Sequence, residues 1–193
     1  LNEGLLTIEA SAFEGCVLLT ELEIPDTVEK VGDYFINGTA IEIIELPDGL
    51  RFIPYFAGNT VIREVICPSN QIQFLWAKTF EGCTSLEIAD VYSGERIGYD
   101  CFKGCVSLKY FHAYYKTTLI GDSAFEGCAA MQLITFGGED SKLETIGEKA
   151  FSGCVGITEL KLPKTLRTIG SRAFERTSIT SIIVPSLVQS IGT

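Results

Sequence analysis

A chain of 193 residues with 46% apolar content can bury a sizeable core, while one His, one Trp and one Met leave little material for metal sites or imidazole acid–base chemistry. The formal charge of -10, from 25 acidic and 15 basic side chains, opposes nucleic acid and anionic membrane as partners. No apolar run approaches the ~18–20 residues of a membrane span, so no direct membrane insertion is expected.

Read in chain order, eight segments repeat one pattern. Phe13-Glu14-Gly15-Cys16 comes first, followed by the degenerate Phe35-Ile36-Asn37-Gly38 and Phe56-Ala57-Gly58-Asn59. The F-x-G-C form returns at Phe80 to Cys83, Phe102 to Cys105, Phe125 to Cys128 and Phe151 to Cys154, and Phe174-Glu175-Arg176-Thr177 is a last degenerate copy. Phe13 to Phe174 spans 161 residues in seven intervals, a mean period of 23. Six, nine and eleven residues after each Phe stands an apolar frame, as in Leu19, Leu22, Ile24 and in Leu108, Phe111, Ala113; the eighth copy, one residue short, has Ile179, Ile182, Val184. Pro follows the frame in five copies: Pro25, Pro47, Pro68, Pro163 and Pro185. Upstream of the Phe, Ile-Gly recurs at Ile97-Gly98, Ile120-Gly121, Ile146-Gly147 and Ile169-Gly170.

A fixed period of this length predicts a repeat solenoid. The last two frame positions, two residues apart, lie on one face of a short strand, and recurrence in every copy stacks eight such strands in parallel into a slab about 35–40 Å long. The Phe residues are expected to form a ladder at the corner remote from the strands. The Gly before Cys is expected to turn the backbone under the Phe, and the Gly after Ile to take a turn conformation that a Cβ would strain.

The repeat resembles the leucine-rich repeat superfamily, and within it the treponemal or BspA-type subclass, with its L-x-x-I-x-L-P…I-G-x-x-A-F-x-x-C pattern. Ile146-Gly147-Glu148-Lys149-Ala150-Phe151-Ser152-Gly153-Cys154, followed by Leu160, Leu162 and Pro163, carries the match. The resemblance implies a right-handed coil array with a parallel β-sheet on one concave face, spanning 1–193 as a single solenoid, and the chain is read as a piece of a longer protein. Proteins of this family are commonly bacterial or protist cell-surface proteins, some of them adhesins. An extracellular or cell-surface setting is what the resemblance implies; a cytoplasmic relative is the alternative.

Five of the seven Cys share one phase of the repeat, Cys67 takes a strand core position, and Cys101 fills a slot that holds Ala12, Ala124, Ala150 and Ala173 elsewhere. They are expected to be small core-corner residues. Inter-coil disulfides such as Cys83 to Cys105 are the competing reading, but parallel Cβ vectors ~4.8 Å apart exceed the ~3.8 Å such a bond prefers. Asn37-Gly38-Thr39 matches a glycosylation acceptor. Gly137-Gly138-Glu139-Asp140-Ser141 fills the extra length of the sixth copy and is expected to be a surface turn.

Residues eight and ten after each Phe point away from the core, forming the default binding face of a solenoid. The first half of this face is acidic, with Glu21, Glu23, Glu45 and Glu64, and Glu42 and Glu87 beside them. The middle is aromatic and apolar: Ile88, Asp90, Tyr92, Tyr110, His112, Tyr114 and Leu133 form the candidate ligand-binding residues, with Tyr115 beside them. His112 is the sole His, and no nucleophile signature accompanies it, so no catalytic residue, metal site or cofactor is expected. The functional expectation is a non-enzymatic module binding a protein or glycan ligand through this face. A structural spacer with no specific ligand and an intracellular interaction protein are the alternatives.

Overall fold

The computed structural model describes residues 1–193 as a stack of eight coils, numbered here by their Phe residues from Phe13 to Phe174. Thirteen short strands, numbered along the chain, run parallel in two sets. One set follows the Phe: β3 (Ile43–Glu45), β4 (Glu64–Cys67), β6 (Ile88–Val91), β8 (Tyr110–Ala113) and β10 (Leu133–Phe136), in that spatial order. The other precedes it: β1 (Thr7–Ile8) pairs with β2 (Lys30–Val31), while β5 (Phe74–Leu75), β7 (Arg96–Ile97), β9 (Leu119–Ile120), β11 (Thr145–Ile146), β12 (Thr168–Ile169) and β13 (Ser190–Ile191) form a six-stranded sheet. The single helical element is a 3₁₀ turn at Gly138–Asp140, inside the insertion read as a surface turn. No helix is long and apolar enough to cross a membrane.

The first set keeps the register that the sequence frame defines. Ile44, Val65 and Ala89 stand opposite one another in successive strands, as do Phe111 and Ile134, and all are buried. Strand pairing is confined to coils two to six, however, and not the eight expected: Leu22–Ile24, Leu160–Leu162 and Ile182–Val184 form no ladder. Coil eight has no further coil stacked on its outer side among these residues, and Ile182 and Val184 are consequently exposed.

The Phe ladder forms from coil three onward; in coil two Ile36 takes the ladder slot and Phe35 the one before it, its carbonyl accepting from Phe13 N–H as Cys101 O accepts from Phe80 N–H. Rings from Phe56 through Phe174 stack nearly parallel with centroids 4.9–5.8 Å apart, and Phe35 meets Phe56 edge-on at 5.9 Å. Backbone hydrogen bonds run beneath the rings from coil to coil: Phe80 N–H to Cys101 O, Phe102 N–H to Ala124 O and Phe125 N–H to Ala150 O, each 2.7–2.8 Å. The Gly before Cys takes positive φ in every F-x-G-C copy, near 75°. Arg176 holds the same left-handed conformation in coil eight.

The thiols serve this corner. Cys83, Cys105, Cys128 and Cys154 each donate from Sγ to the Phe carbonyl of the preceding coil at 3.0–3.1 Å, and all seven Cys are free. A small side chain that can satisfy a backbone group is what the slot requires; in the degenerate copies Asn59 Oδ1 accepts from Val61 and Ile62 N–H, and Thr177 Oγ1 donates to Phe174 O. Thr39, within the glycosylation-like triplet, is likewise buried and donates to Ile36 O. Cys16 departs from the core assignment. It is exposed because no earlier coil lies against coil one among these residues.

The Gly after Ile has a different role from the one expected. Gly121, Gly147 and Gly170 do not adopt positive φ; instead their N–H groups donate to Ile97 O, Ile120 O and Ile146 O of the preceding coil at 2.8 Å, and a Cβ there would strike backbone. In coil three Pro54 follows Ile53 at this slot and has no N–H to give, so no strand joins β2 to β5. Phe52, Trp76 and Phe74 cluster at the break, with centroids 5.7–6.3 Å apart.

A buried hydroxyl series, absent from the sequence expectation, completes the core. Ser69 donates to Leu50 O at 2.6 Å, Ser93 and Thr117 share a bond at 2.8 Å, Thr117 donates to Gly94 O and Thr165 to Leu143 O. The signal was present as Ser or Thr at 69, 93, 117, 141 and 165, a spacing of 24.

The two glycine slots can be separated by substitution. Gly121→Ala places a Cβ 2.7 Å from Tyr99 N and 2.8 Å from the Gly98 carbonyl carbon, so it is expected to cost about 3 kcal/mol through overpacking. Gly58→Ala meets nothing within 4 Å and incurs only the left-handed penalty, about 1 kcal/mol. Urea unfolding midpoints of the two variants check the order.

Candidate interaction face

The sheet of coils two to six displays the predicted outward positions in one row. Ile43, Glu64, Ile88, Tyr110 and Leu133 are mutual register partners. The alternation of the strand, one residue in and one out, keeps Ile88, Tyr110 and Leu133 in solvent, at 43%, 47% and 46% exposure, while Ala89, Phe111 and Ile134 fill the core. Parallel neighbours lie about 4.8 Å apart, so the three side chains form a continuous apolar strip across β6, β8 and β10.

Of the other candidates, Asp90 and His112 are exposed on the same face. His112 Nδ1 lies 2.6 Å from Thr135 Oγ1, its partner in β10, on the side away from Asp90, and no hydrogen bond joins His112 to Asp90. Tyr92 and Tyr114 behave differently from the free surface residues expected. Their rings meet at 4.3 Å, Tyr92 is half-buried against the core, and Tyr114 N–H donates to the buried Ser93 Oγ. Burial first, then the charge of Asp90 and the neighbouring Tyr92, raise the Tyr114 phenol above its ordinary pKa. These two rings therefore close the rim of the core as well as border the strip.

The acidic flank also differs from expectation. Glu42, Arg63, Glu87 and Lys109, one per coil at a single phase, form an alternating ladder: Arg63 reaches Glu42 at 3.5 Å and Glu87 at 2.7 Å, and Lys109 bonds Glu87. Lys109 and then Arg63 hold the Glu87 carboxyl below its ordinary pKa. Glu42 and Glu87 are thus neutralised and contribute no free charge to the face. Sequence reading missed the ladder because its members stand 21 to 24 residues apart and are neighbours only once the coil phase is known.

Coils four to six, which carry the strip, are tied by all three hydrogen-bonded edges: the face sheet, the Phe corner and the second sheet through β5, β7 and β9. A binding surface on so rigid a support loses little conformational freedom on contact. The profile of the BspA type leucine-rich repeat region matches residues 1–94 and 77–193, in six copies. The chain belongs to this family. No curated protein matches it. Among solved structures, a leucine-rich repeat protein from Bacteroides ovatus shares 18% identity over 100% of this chain and 67% of its own, with a TM-score of 0.45. A leucine-rich cell surface protein from Faecalibacterium prausnitzii shares 19% identity over 100% of this chain and 58% of its own, TM-score 0.49. The pneumococcal vaccine antigen PcpA shares 18% identity over 96% and 56%, TM-score 0.45. This BspA-type chain thus spans a little over half the length of the last two.

The remaining reactive side chains of the repeat are its thiols. Burial pushes Cys67 up to about 11 and Cys83 to about 12, and raises Cys101, Cys105 and Cys128 as well, away from the thiolate form that attacks electrophiles. No cluster of three or more His, Cys, Asp or Glu is placed to hold a metal ion. In the native chain a thiol reagent is expected to titrate Cys16 rapidly and the other six only after unfolding, counted by absorbance. Because burial favours the protonated thiol, the unfolded chain loses protons first as pH rises past the ordinary value of 9.0. The stability held below that pH is therefore lost between 9.0 and about 11–12. Urea midpoints should fall across this window, and less steeply in a Cys67→Val/Cys83→Ala variant.

Proposed function

We propose that this chain is a non-catalytic interaction module of a cell-surface protein, engaging a protein ligand through the face of β3, β4, β6, β8 and β10. The observation that carries this reading is the exposed row Ile88, Tyr110 and Leu133 on the coils that are tied at the face, the Phe corner and the second sheet. Apolar and aromatic side chains held in solvent on a rigid sheet gain free energy when a partner covers them, and Tyr supplies large contact area with few rotors to immobilise. His112, bonded to Thr135 at the edge of the strip, serves as a contact residue. The surface setting rests on the family resemblance of the repeat.

The test is affinity capture from a protein extract with the wild-type chain, with Tyr110→Ala/Leu133→Ala, and with Val155→Ser at the far corner. Both face residues are about half exposed, so the double variant should keep its thermal midpoint within a few degrees while retention of the captured protein falls at least tenfold. Val155→Ser should retain it. Equal recovery by all three would assign the face to a spacer.

A further inference from the structure

The same face carries charge that nothing in the chain answers. Once Glu42 and Glu87 are paired with Arg63 and Lys109, the carboxylates of Glu21, Glu23, Glu45 and Glu64 remain at one end of the face and Asp90 beside the apolar strip, and none takes part in an ion pair or a side-chain hydrogen bond. Of the four Glu residues, three are exposed and Glu64 is half-exposed. They occupy coils one to three, directly beside the apolar strip of coils four to six, and Glu64 is the register partner of both Ile43 and Ile88. The ladder next to them has its cations already committed, so it offers no neutralisation. Glu64 stands opposite Ile43 and Ile88, and Glu45 opposite Ile66, so carboxylates and aliphatic side chains alternate on this end of the face, and the unpaired carboxylates attract a cationic partner.

Resting on the reading of this face as a protein-binding surface, we propose that its partner is a cationic–apolar peptide segment. Its Lys or Arg side chains lie over Glu21, Glu23, Glu45 and Glu64, and its apolar side chains over Ile88, Tyr110 and Leu133. Six coils at about 4.8 Å span roughly 24 Å between the first and the last, the reach of about seven extended residues at ~3.3 Å each. The segment therefore runs along the stack, basic at the end over coil one and apolar at the end over coil six. Placing the charged contacts beside the apolar strip, where solvent still reaches them, makes the encounter rate and the affinity depend on ionic strength.

A random dodecapeptide display library panned on the immobilised chain tests this, with selected peptides then made as soluble fluorescent probes for anisotropy. The expected selection is enriched in Lys or Arg together with aliphatic or aromatic residues. These probes should bind Glu21→Gln/Glu23→Gln/Glu45→Gln/Glu64→Gln at least about tenfold more weakly than wild type and lose most of their salt dependence. Glu95→Gln, off the face, is the charge control and should bind as wild type. The proposal is overturned if the selection is empty, neutral or acidic, or if the Gln variant binds equally well. In that event, selected peptides that still require Tyr110 and Leu133 would leave the interaction face standing without its charge preference; peptides indifferent to Tyr110→Ala/Leu133→Ala would remove both.

Discussion

The structure depends on backbone approaching backbone at hydrogen-bond distance from one coil to the next. At the Phe corner, N–H groups of one coil meet carbonyls of the following one at 2.7–2.8 Å; at the second sheet, Gly N–H groups reach back to the preceding Ile at 2.8 Å. An interior so tightly spaced has no room for most side chains where the coils touch, and the residues at those points follow from it. Gly fills the slot where a Cβ would strike backbone, Cys the slot where a thiol can reach a Phe carbonyl, and Ser or Thr the slot where a hydroxyl can reach the carbonyl of Leu50 or Leu143. Composition that looks odd in a globular domain becomes ordinary once each unusual residue is placed against the coil beside it.

How much could be read from sequence follows from the same geometry. The Phe ladder, the inward frame and the row from Ile43 to Leu133 were legible because each recurs at a constant offset from a Phe. The second sheet was hidden in two-residue Thr-Ile and Leu-Ile strands, too short to show alternation, and the hydroxyl series looked like scattered Ser and Thr. Gly121 was correctly singled out for the wrong reason, since a turn and a close approach demand the same residue and only the neighbouring coil distinguishes them. The charged ladder was misread as free acid because Arg63 and Lys109 are remote in sequence from Glu87 and adjacent only in space. Tyr92 looked like surface because its slot holds Pro in other coils, yet its ring packs on Tyr114 and the core.

The division of labour between core and face is nearly complete. Inward positions stay apolar from coil to coil because all face one core, and a small residue in one coil is met by a large one nearby, as Ala89 and Ala113 are by Phe111 and Phe136. Outward positions vary freely, and the face accordingly passes from Glu21 and Glu23 through Ile43 and Glu64 to Ile88, Tyr110 and Leu133 without disturbing the strand register. Recognition can thus be rewritten coil by coil while the scaffold is untouched, as expected for an array whose stability is a sum of repeat and nearest-neighbour terms.

The missing N–H of Pro54 has a mechanical consequence. Coil three contributes no strand to the second sheet, which is interrupted from β2 to β5, while β3, β4 and β6 remain joined on the face. The open side is not left unbridged: Asp33 Oδ1 accepts from Tyr55 N–H at 3.0 Å, and Tyr34 N–H donates to Tyr55 O at 2.9 Å, so a carboxylate and the Phe corner hold the coils where the strand pairing stops. The rings of Phe52, Phe74 and Trp76 fill the same side, so apolar contact replaces part of the lost backbone pairing there. Pairing in such an array need not be continuous on every side. A single proline can shift the burden from backbone to side chains at one joint.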